Sequence, residues 1–361
     1  MTGLSVVIAG GGTGGHVYPG VAVAQEIRRR VPGAAVSFAG TSRGLESRIV
    51  PREGFELDVI RSAGLKGKSI GSRLRGVGLL PLSMLDAWRI LSRRRPRVVL
   101  GVGGYSSGPV VLMAALRGIP TMVLEQNAMP GFTNRRLARW VRAAAVTYEE
   151  TLSYFGKRGF VAGNPVRAEF FKESSKVDVR TSKVARVLIV GGSQGAHAIN
   201  VAMVAAAPQL ARAHGGVEIV HQTGERDLGV VREGYERVGI TARTEPFLDL
   251  VAREMTAADL AICRAGATTL AELAACGLPA VLVPFPLATD DHQRKNAQVL
   301  ADAGAAVLLD ERQLSGDSLA GAVGALLLDR ARLAAMGQVM RRFARPDAAQ
   351  RIVDRVLELA R

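Results

Sequence analysis

The chain is poor in cysteine, in acid and in unbroken apolar runs. Its two thiols, Cys263 and Cys276, form no CxxC pair, so a disulfide-stapled secreted domain is excluded and a reducing cytoplasm fits best. The opening MTGLSVVIAGGG has no basic segment, and its apolar run breaks into glycines, so it reads as a first buried strand and not as a leader. The longest uncharged stretch, residues 98–116, carries GVGGYSSGP in its middle and reads as strand, loop and helix, not as a membrane span. Acid is also missing where a dinucleotide enzyme needs it. After the second apolar run the sequence reads Phe38, Ala39, Gly40, Thr41, Ser42, Arg43, which disfavours NAD and leaves NADP only Arg43. Metal-site spacing is missing too: Asp290 and Asp291 are adjacent and fit a solvated loop.

What is present begins with glycine, 41 residues of it in a chain of 361, which implies several loops where backbone meets a ligand or turns sharply. Hydrophobic residues at 48% and charged ones at 22% exclude a disordered chain, and the length suits two domains. The same grammar appears twice. Residues 4–9 are an apolar run followed by GGGTGGH and a helical stretch at 17–30; residues 187–190 are another, followed by GGSQGA and a helical stretch at 197–211. Further strands are expected at 35–39, 98–100, 121–124, 217–222, 260–263 and 280–283. The pattern predicts an α/β chain of two Rossmann-like, doubly wound domains facing across a cleft, with a linker near 163–165. The stretch 348–361 has helical spacing after Pro346 and could pack back on the first domain.

Three loops read as phosphate cradles. The first, GGGTGG, opens a helix whose N-terminus favours anions. His16 follows it, and two readings fit: a polar residue finishing a cap, or a general base kept neutral by the helix N-terminus. The second, GVGGYSSGP, carries Tyr105, and the third, GGSQGA, carries Ser193 and Gln194. Three such loops suggest two phosphorylated ligands. Residues 263–297 add a strand end, a helix stopped by Gly277 and Pro279, and Glu272 early in that helix. Glu272 suits a ribose, and it equally fits a capping box with Thr269. The cluster Asp290, Asp291, His292, Gln293 suits sugar hydroxyls.

GGTGGHVYPG, GGYSSGP, EQNAMPGFTN, GNPVR, GGSQGA and CRAGATTLAELAACGLP…DHQRKNA stand here in one order over nearly the whole chain. Together they resemble the MurG family of peptidoglycan N-acetylglucosaminyltransferases, which have the two-domain GT-B fold. The resemblance implies an inverting hexosyltransferase that moves GlcNAc from UDP-GlcNAc to the C4 hydroxyl of MurNAc in undecaprenyl-diphospho-MurNAc-pentapeptide (lipid I), forming lipid II. It implies an acceptor-binding, membrane-associating domain at 1–164, helped by 346–361, and a UDP-GlcNAc-binding domain at 165–345. Thr13, Gly14, Gly15 and Asn127 would reach the donor from the first domain, and Arg167 and Ser193 would attend its phosphates. Arg264 and the turn Ala267, Thr268, Thr269, Leu270, Ala271, Glu272 would bind the nucleotide, with Glu272 on the ribose. Leu248 stands for an isoleucine that meets uracil through its backbone, and Gln293 would read GlcNAc hydroxyls. His16, the candidate base, lines the acceptor side with Tyr105, Glu125 and Asn127. His292 replaces a second glutamine of some relatives. No cofactor is implied beyond a divalent cation that could assist the acceptor diphosphate.

The charge surplus, 47 Lys and Arg against 32 Asp and Glu, is uneven. Residues 61–97 hold ten cations and one acid, Asp86, interleaved with Leu74, Val77, Leu79, Leu80, Leu82, Met84, Leu85 and Trp88. Arg135, Arg136, Arg139, Trp140 and Arg142 form a second cluster. No nucleic-acid motif accompanies them. Mixed cationic and apolar side chains suit an anionic leaflet, so peripheral attachment to the cytoplasmic face of the bacterial inner membrane is expected. Two alternatives are weaker: an NADP-dependent oxidoreductase, which lacks its ribose acid, and a non-catalytic nucleotide-sugar-binding recruiter, which needs only one half of the motifs.

Overall fold

The computed structural model describes residues 3–62, 70–174, 184–192, 195–213 and 216–361. They divide into two compact units, Met1–Arg167 with Arg345–Arg361, and Ala168–Ala344. The chain thus passes from the first unit to the second three residues after the 164/165 boundary.

In the first unit the order is β1 (Ser5–Gly10), α1 (Gly14–Arg30), β2 (Ala35–Gly40), α2 (Glu46–Arg52), β3 (Glu56–Val59), α3 (Ile70–Arg94), β4 (Val98–Gly103), α4 (Ser107–Leu116), β5 (Thr121–Glu125), α5 (Phe132–Leu137), β6 (Ala143–Val146) and β7 (Gly159–Val161). The second unit contains α6 (Ala168–Ser174), β8 (Ala185–Val190), α7 (His197–Ala213), β9 (Val217–Gln222), α8 (Leu228–Arg237), β10 (Ala242–Glu245), α9 (Val251–Ala257), β11 (Leu260–Cys263), α10 (Ala267–Cys276), β12 (Ala280–Leu282), α11 (His292–Asp302), β13 (Ala306–Leu308), α12 (Gly316–Leu328) and α13 (Arg330–Arg341). The final helix, α14 (Ala348–Leu359), returns to the first unit.

Both sheets are parallel. The first runs β3-β2-β1-β4-β5-β6-β7 and the second β10-β9-β8-β11-β12-β13. Strand order reverses between β1 and β4, and again between β8 and β11. These switch points are where an open α/β sheet leaves a crevice beyond its strand ends. The three glycine loops belong to three of these four strands, β1, β4 and β8. The central strands are apolar throughout because helices cover both faces. Val6 and Ile8 of β1 pack with Val17, Val21 and Ile27 of α1, whereas Val7 and Ala9 pack on the opposite face with Val110 and Val111 of α4.

Helix α14 joins the α1 side of the first sheet, burying Ile352, Val353 and Val356 at i, i+1 and i+4. Arg30 of α1 pairs with Asp354 at its edge. Helix α10 ends on Gly277, whose φ of 65° supplies a left-handed cap.

Candidate active site

The first two glycine loops meet at the β1/β4 switch point. The Gly11 N–H donates to the Gly103 carbonyl at 3.3 Å. Thr13 is the N-cap of α1, and its carbonyl accepts from the His16 and Val17 N–H groups. The His16 side chain turns back over this junction. Its Nδ1 lies 3.3 Å from the Gly11 carbonyl oxygen and 3.3 Å from the Thr13 hydroxyl. The carbonyl can only accept, whereas the hydroxyl can donate or accept, so an Nδ1–H serves the carbonyl and an unprotonated Nδ1 serves the hydroxyl. The Nε2 edge lies over Gly103, where a Cβ would collide with the ring.

A residue that the sequence reading passed over occupies the same loop. Glu46, buried at 1% exposure, accepts from the Gly12 N–H at 2.7 Å and from the Thr41 N–H and hydroxyl at 2.8 Å each. The first cradle therefore already gives one amide, that of Gly12, to a carboxylate of the protein itself. A side chain at Gly11, Gly40 or Gly44 would overlap the Glu46 carboxyl.

Glu125 ends β5 at 1% exposure, and both its oxygens are occupied. One accepts from the Asn127 N–H and side-chain amide at 3.1 Å each; the other accepts from Gly131 N–H and Asn134 Nδ2 at 2.9 Å each. Burial raises its carboxyl above the ordinary range, and these donors pull the other way. Glu125 thus shapes the segment that carries Asn127. Tyr105 is half-exposed in the loop after β4, its carbonyl receiving the Ser62 hydroxyl at 3.0 Å. Arg167 belongs to the first unit and stacks over Tyr18 of α1.

In the second unit, Ser193 lies outside the described residues. Its loop follows β8, where Gly191 N–H donates to the Gln222 carbonyl at 3.2 Å. Beneath it runs a buried polar chain. Asn200 of α7 donates to Asp227 and to the Thr223 carbonyl at 2.9 Å each, and its own oxygen faces His221 Nε2 at 3.0 Å. Tyr235 faces His221 Nδ1 at 2.9 Å. Burial pushes His221 down to about 3, so it stays neutral here.

The β11/β12 side presents α10. Its N-cap is Gly266, and Ala267, Thr268, Thr269, Leu270, Ala271 and Glu272 form its first turns. Thr269 is inside the helix, so the capping-box reading of Thr269 and Glu272 is overturned. Glu272 is nearly buried in the second turn. Arg264 donates to the Val283 and Pro284 carbonyls at 3.2 and 3.4 Å and pairs with Glu311, which ties the ends of β11 and β12 together. Leu248 is buried at 3% exposure, so its side chain serves the core. Gln293 accepts the Phe285 N–H at 2.9 Å through its carbonyl, so its amide NH2 is the part able to donate to a sugar hydroxyl. His292 Nδ1 faces the Thr289 carbonyl at 2.7 Å. Just before it, Asp290 and Asp291 hold φ of 57° and 53°, a left-handed pair uncommon outside glycine and best tolerated by Asn and Asp.

Residues 6–146 match the glycosyltransferase family 28 N-terminal domain, and residues 186–352 match the family 28 C-terminal domain. The chain belongs to glycosyltransferase family 28. A family relative from Anaeromyxobacter sp. (strain K), named UDP-N-acetylglucosamine--N-acetylmuramyl-(pentapeptide) pyrophosphoryl-undecaprenol N-acetylglucosamine transferase, is 46% identical over 359 residues, covering 99% of this chain and 94% of its own. One from Geobacter sulfurreducens with the same name is 43% identical, covering 99% of each chain. The crystal structure of Acinetobacter baumannii MurG superposes with a TM-score of 0.79 at 32% identity, over 98% of this chain and 99% of that one. The N-terminal match thus takes in β1 to β6 of the first sheet, and the C-terminal match takes in the second sheet and runs into α14.

The first unit also carries an apolar and cationic face. On α3, Leu82, Leu85 and Trp88 recur every three residues and are 39%, 40% and 50% exposed. Arg117 donates to the Trp88 carbonyl at 3.2 Å, which sets a cation beside them. Lys66 and Lys68 lie outside the described residues. A hollow in the same unit is lined by Arg135, Arg136, Arg139, Arg158 and Tyr154. Among the described residues no helix is long and apolar enough to cross a membrane, and no group of three or more His, Cys, Asp or Glu could hold a metal ion.

Proposed function

We propose that this glycosyltransferase moves GlcNAc from UDP-GlcNAc to the C4 hydroxyl of MurNAc in undecaprenyl-diphospho-MurNAc-pentapeptide, converting lipid I to lipid II in peptidoglycan synthesis. The observation that carries this reading is the His16 ring, which stands at a sheet switch point with its Nδ1 against the Gly11 carbonyl. The transfer is a single in-line displacement. The C4 oxygen bonds to the anomeric carbon, the bond from that carbon to the UDP oxygen breaks, and the hydroxyl proton passes to His16 Nε2. One displacement inverts the anomeric centre and needs no protein nucleophile.

The donor belongs to the second unit. The N-terminus of α10 and Ser193 attend the diphosphate together with Arg167, stabilising the negative charge that builds on departing UDP. Glu272 receives the ribose hydroxyls, the backbone at Leu248 meets the uracil, and Gln293 reads the GlcNAc hydroxyls. The acceptor belongs to the first unit, beside His16, Tyr105 and Asn127, with Thr13, Gly14 and Gly15 contributing amides. A divalent cation, where one takes part, travels with the acceptor diphosphate.

The lipid tail must stay in a bilayer while its headgroup reacts. Leu82, Leu85 and Trp88 with the neighbouring arginines are the face that rests on anionic lipid, each cation contributing ~1 kcal/mol near the surface. The protein is accordingly peripheral, on the cytoplasmic face of the inner membrane. The test is single-turnover transfer of labelled GlcNAc from UDP-GlcNAc to a short-chain lipid I analogue. Labelled disaccharide lipid supports the proposal, and free GlcNAc or unreacted donor overturns it.

A further inference from the structure

Glu46 and His16 sit on opposite ends of one peptide group. The Gly12 N–H donates to Glu46 Oε2 at 2.7 Å, and the Gly11 carbonyl, the other half of that peptide, faces His16 Nδ1 at 3.3 Å. We infer that Glu46 is a positioning residue for the transfer reaction, fixing the tautomer of His16 through the Gly11–Gly12 peptide. This rests on the reading of His16 as base.

The peptide group conducts the effect because it is polarisable. An anion accepting from the N–H pulls that hydrogen's dipole and enriches the carbonyl oxygen, which strengthens the oxygen as an acceptor. A stronger acceptor at Gly11 holds the ring hydrogen on Nδ1, the tautomer in which Nε2 is the basic nitrogen. The arrangement resembles a carboxylate orienting a histidine directly, with one peptide inserted between the two. Glu46 is well placed for it. It is buried and anchored at its other oxygen by the Thr41 N–H and hydroxyl, so it cannot swing away without stranding those donors.

The peptide is held from the other side as well. Gly11 N–H is tied to the Gly103 carbonyl, and a side chain at Gly104 would strike the Gly11 carbonyl. Three glycines, Gly11, Gly40 and Gly44, leave the room that the carboxyl fills. A merely structural anchor for α2 would not need its charge aimed at the amide whose carbonyl meets the ring.

The experiment uses the full chain with 15N-labelled histidine, as wild type, Glu46→Gln and His16→Ala, the last assigning the His16 signals. At neutral pH the wild-type ring should show a hydrogen on Nδ1 and a bare Nε2. In Glu46→Gln the Nε2–H tautomer should rise several-fold and kcat should fall about tenfold, with the KM for UDP-GlcNAc within about twofold. A folded Glu46→Gln protein with unchanged tautomer overturns the inference, whether or not kcat falls. If that variant does not fold, the wild-type spectrum decides: an Nδ1–H ring supports the inference and an Nε2–H ring overturns it. Full turnover by His16→Ala would instead sink the base reading, leaving the tautomer shift as a separate result.

Discussion

The Arg167 guanidinium lies 4.5 Å from the centre of the Tyr18 ring, joining the last residue of the first unit's main segment to the second turn of α1. A cation over an aromatic face is worth about 0.5–2 kcal/mol. If Arg167 is held there to meet donor phosphate, Tyr18→Leu should raise the KM for UDP-GlcNAc roughly two- to thirtyfold with little change in kcat, by the same range of energies. Tyr18→Phe keeps the ring and should behave as wild type. Steady-state kinetics on both variants checks this, and an unchanged KM in Tyr18→Leu would detach Arg167 from the donor.

Glu125 should be a stability residue as much as an activity residue. Its four donors leave no orientation of a glutamine that avoids setting an NH2 against N–H groups. Glu125→Gln should therefore cost about 2 kcal/mol and lower Tm, alongside a fall in kcat/KM. Thermal unfolding measures it. A variant with wild-type Tm but lost activity would return Glu125 to direct chemistry.

The sequence carried the sheet centres well and the edges poorly. Strand β11 appears at 260–263 as expected, because a buried parallel strand reads as an unbroken apolar run, and β9 appears at 217–222 as expected although Glu218, His221 and Gln222 interrupt its apolar pattern. Strand β6 is Ala-Ala-Ala-Val and β10 is Ala-Arg-Thr-Glu. The first is apolar and buried but mostly alanine, which has little β-propensity, and the second is a polar edge, so neither stands out as a strand. The glycine loops after β1 and β4 were legible as loops that follow strands, and the fold brings them together at the β1/β4 switch point, with His16 and Tyr105 beside them. Glu46 was not legible, because its partner amide is 34 residues away and only the folded crossing of β1 and β2 brings them together.

His221 makes stability depend on pH. Its pKa is about 3 in the fold, against an ordinary 6.5, so the unfolded chain binds the extra proton between those values. Stability should be fully present above pH 6.5 and fall by up to ~1.4 kcal/mol per pH unit as pH drops toward 3. His221→Gln lowers overall stability but should flatten that slope. Denaturant unfolding from pH 7 to pH 4 checks it, and parallel slopes in the two proteins would contradict it.

The α3 face predicts membrane behaviour. Leu85→Ser with Trp88→Ser removes two exposed apolar groups, each worth roughly 1.5–3 kcal/mol when buried. Flotation with anionic vesicles at low salt should show at least a tenfold lower bound fraction, while transfer to a water-soluble acceptor analogue stays near wild type. Equal flotation would move the lipid contact elsewhere.

The most direct trial of the whole account is the turnover of His16→Ala in single-turnover transfer from UDP-GlcNAc to a short-chain lipid I analogue, with the product's anomeric configuration read by NMR. Wild type should give a β-linked product from the α-linked donor, and the variant should slow by about 100-fold or more while its UDP-GlcNAc affinity stays within threefold. A retained α linkage, or near-normal turnover without the imidazole, would contradict it.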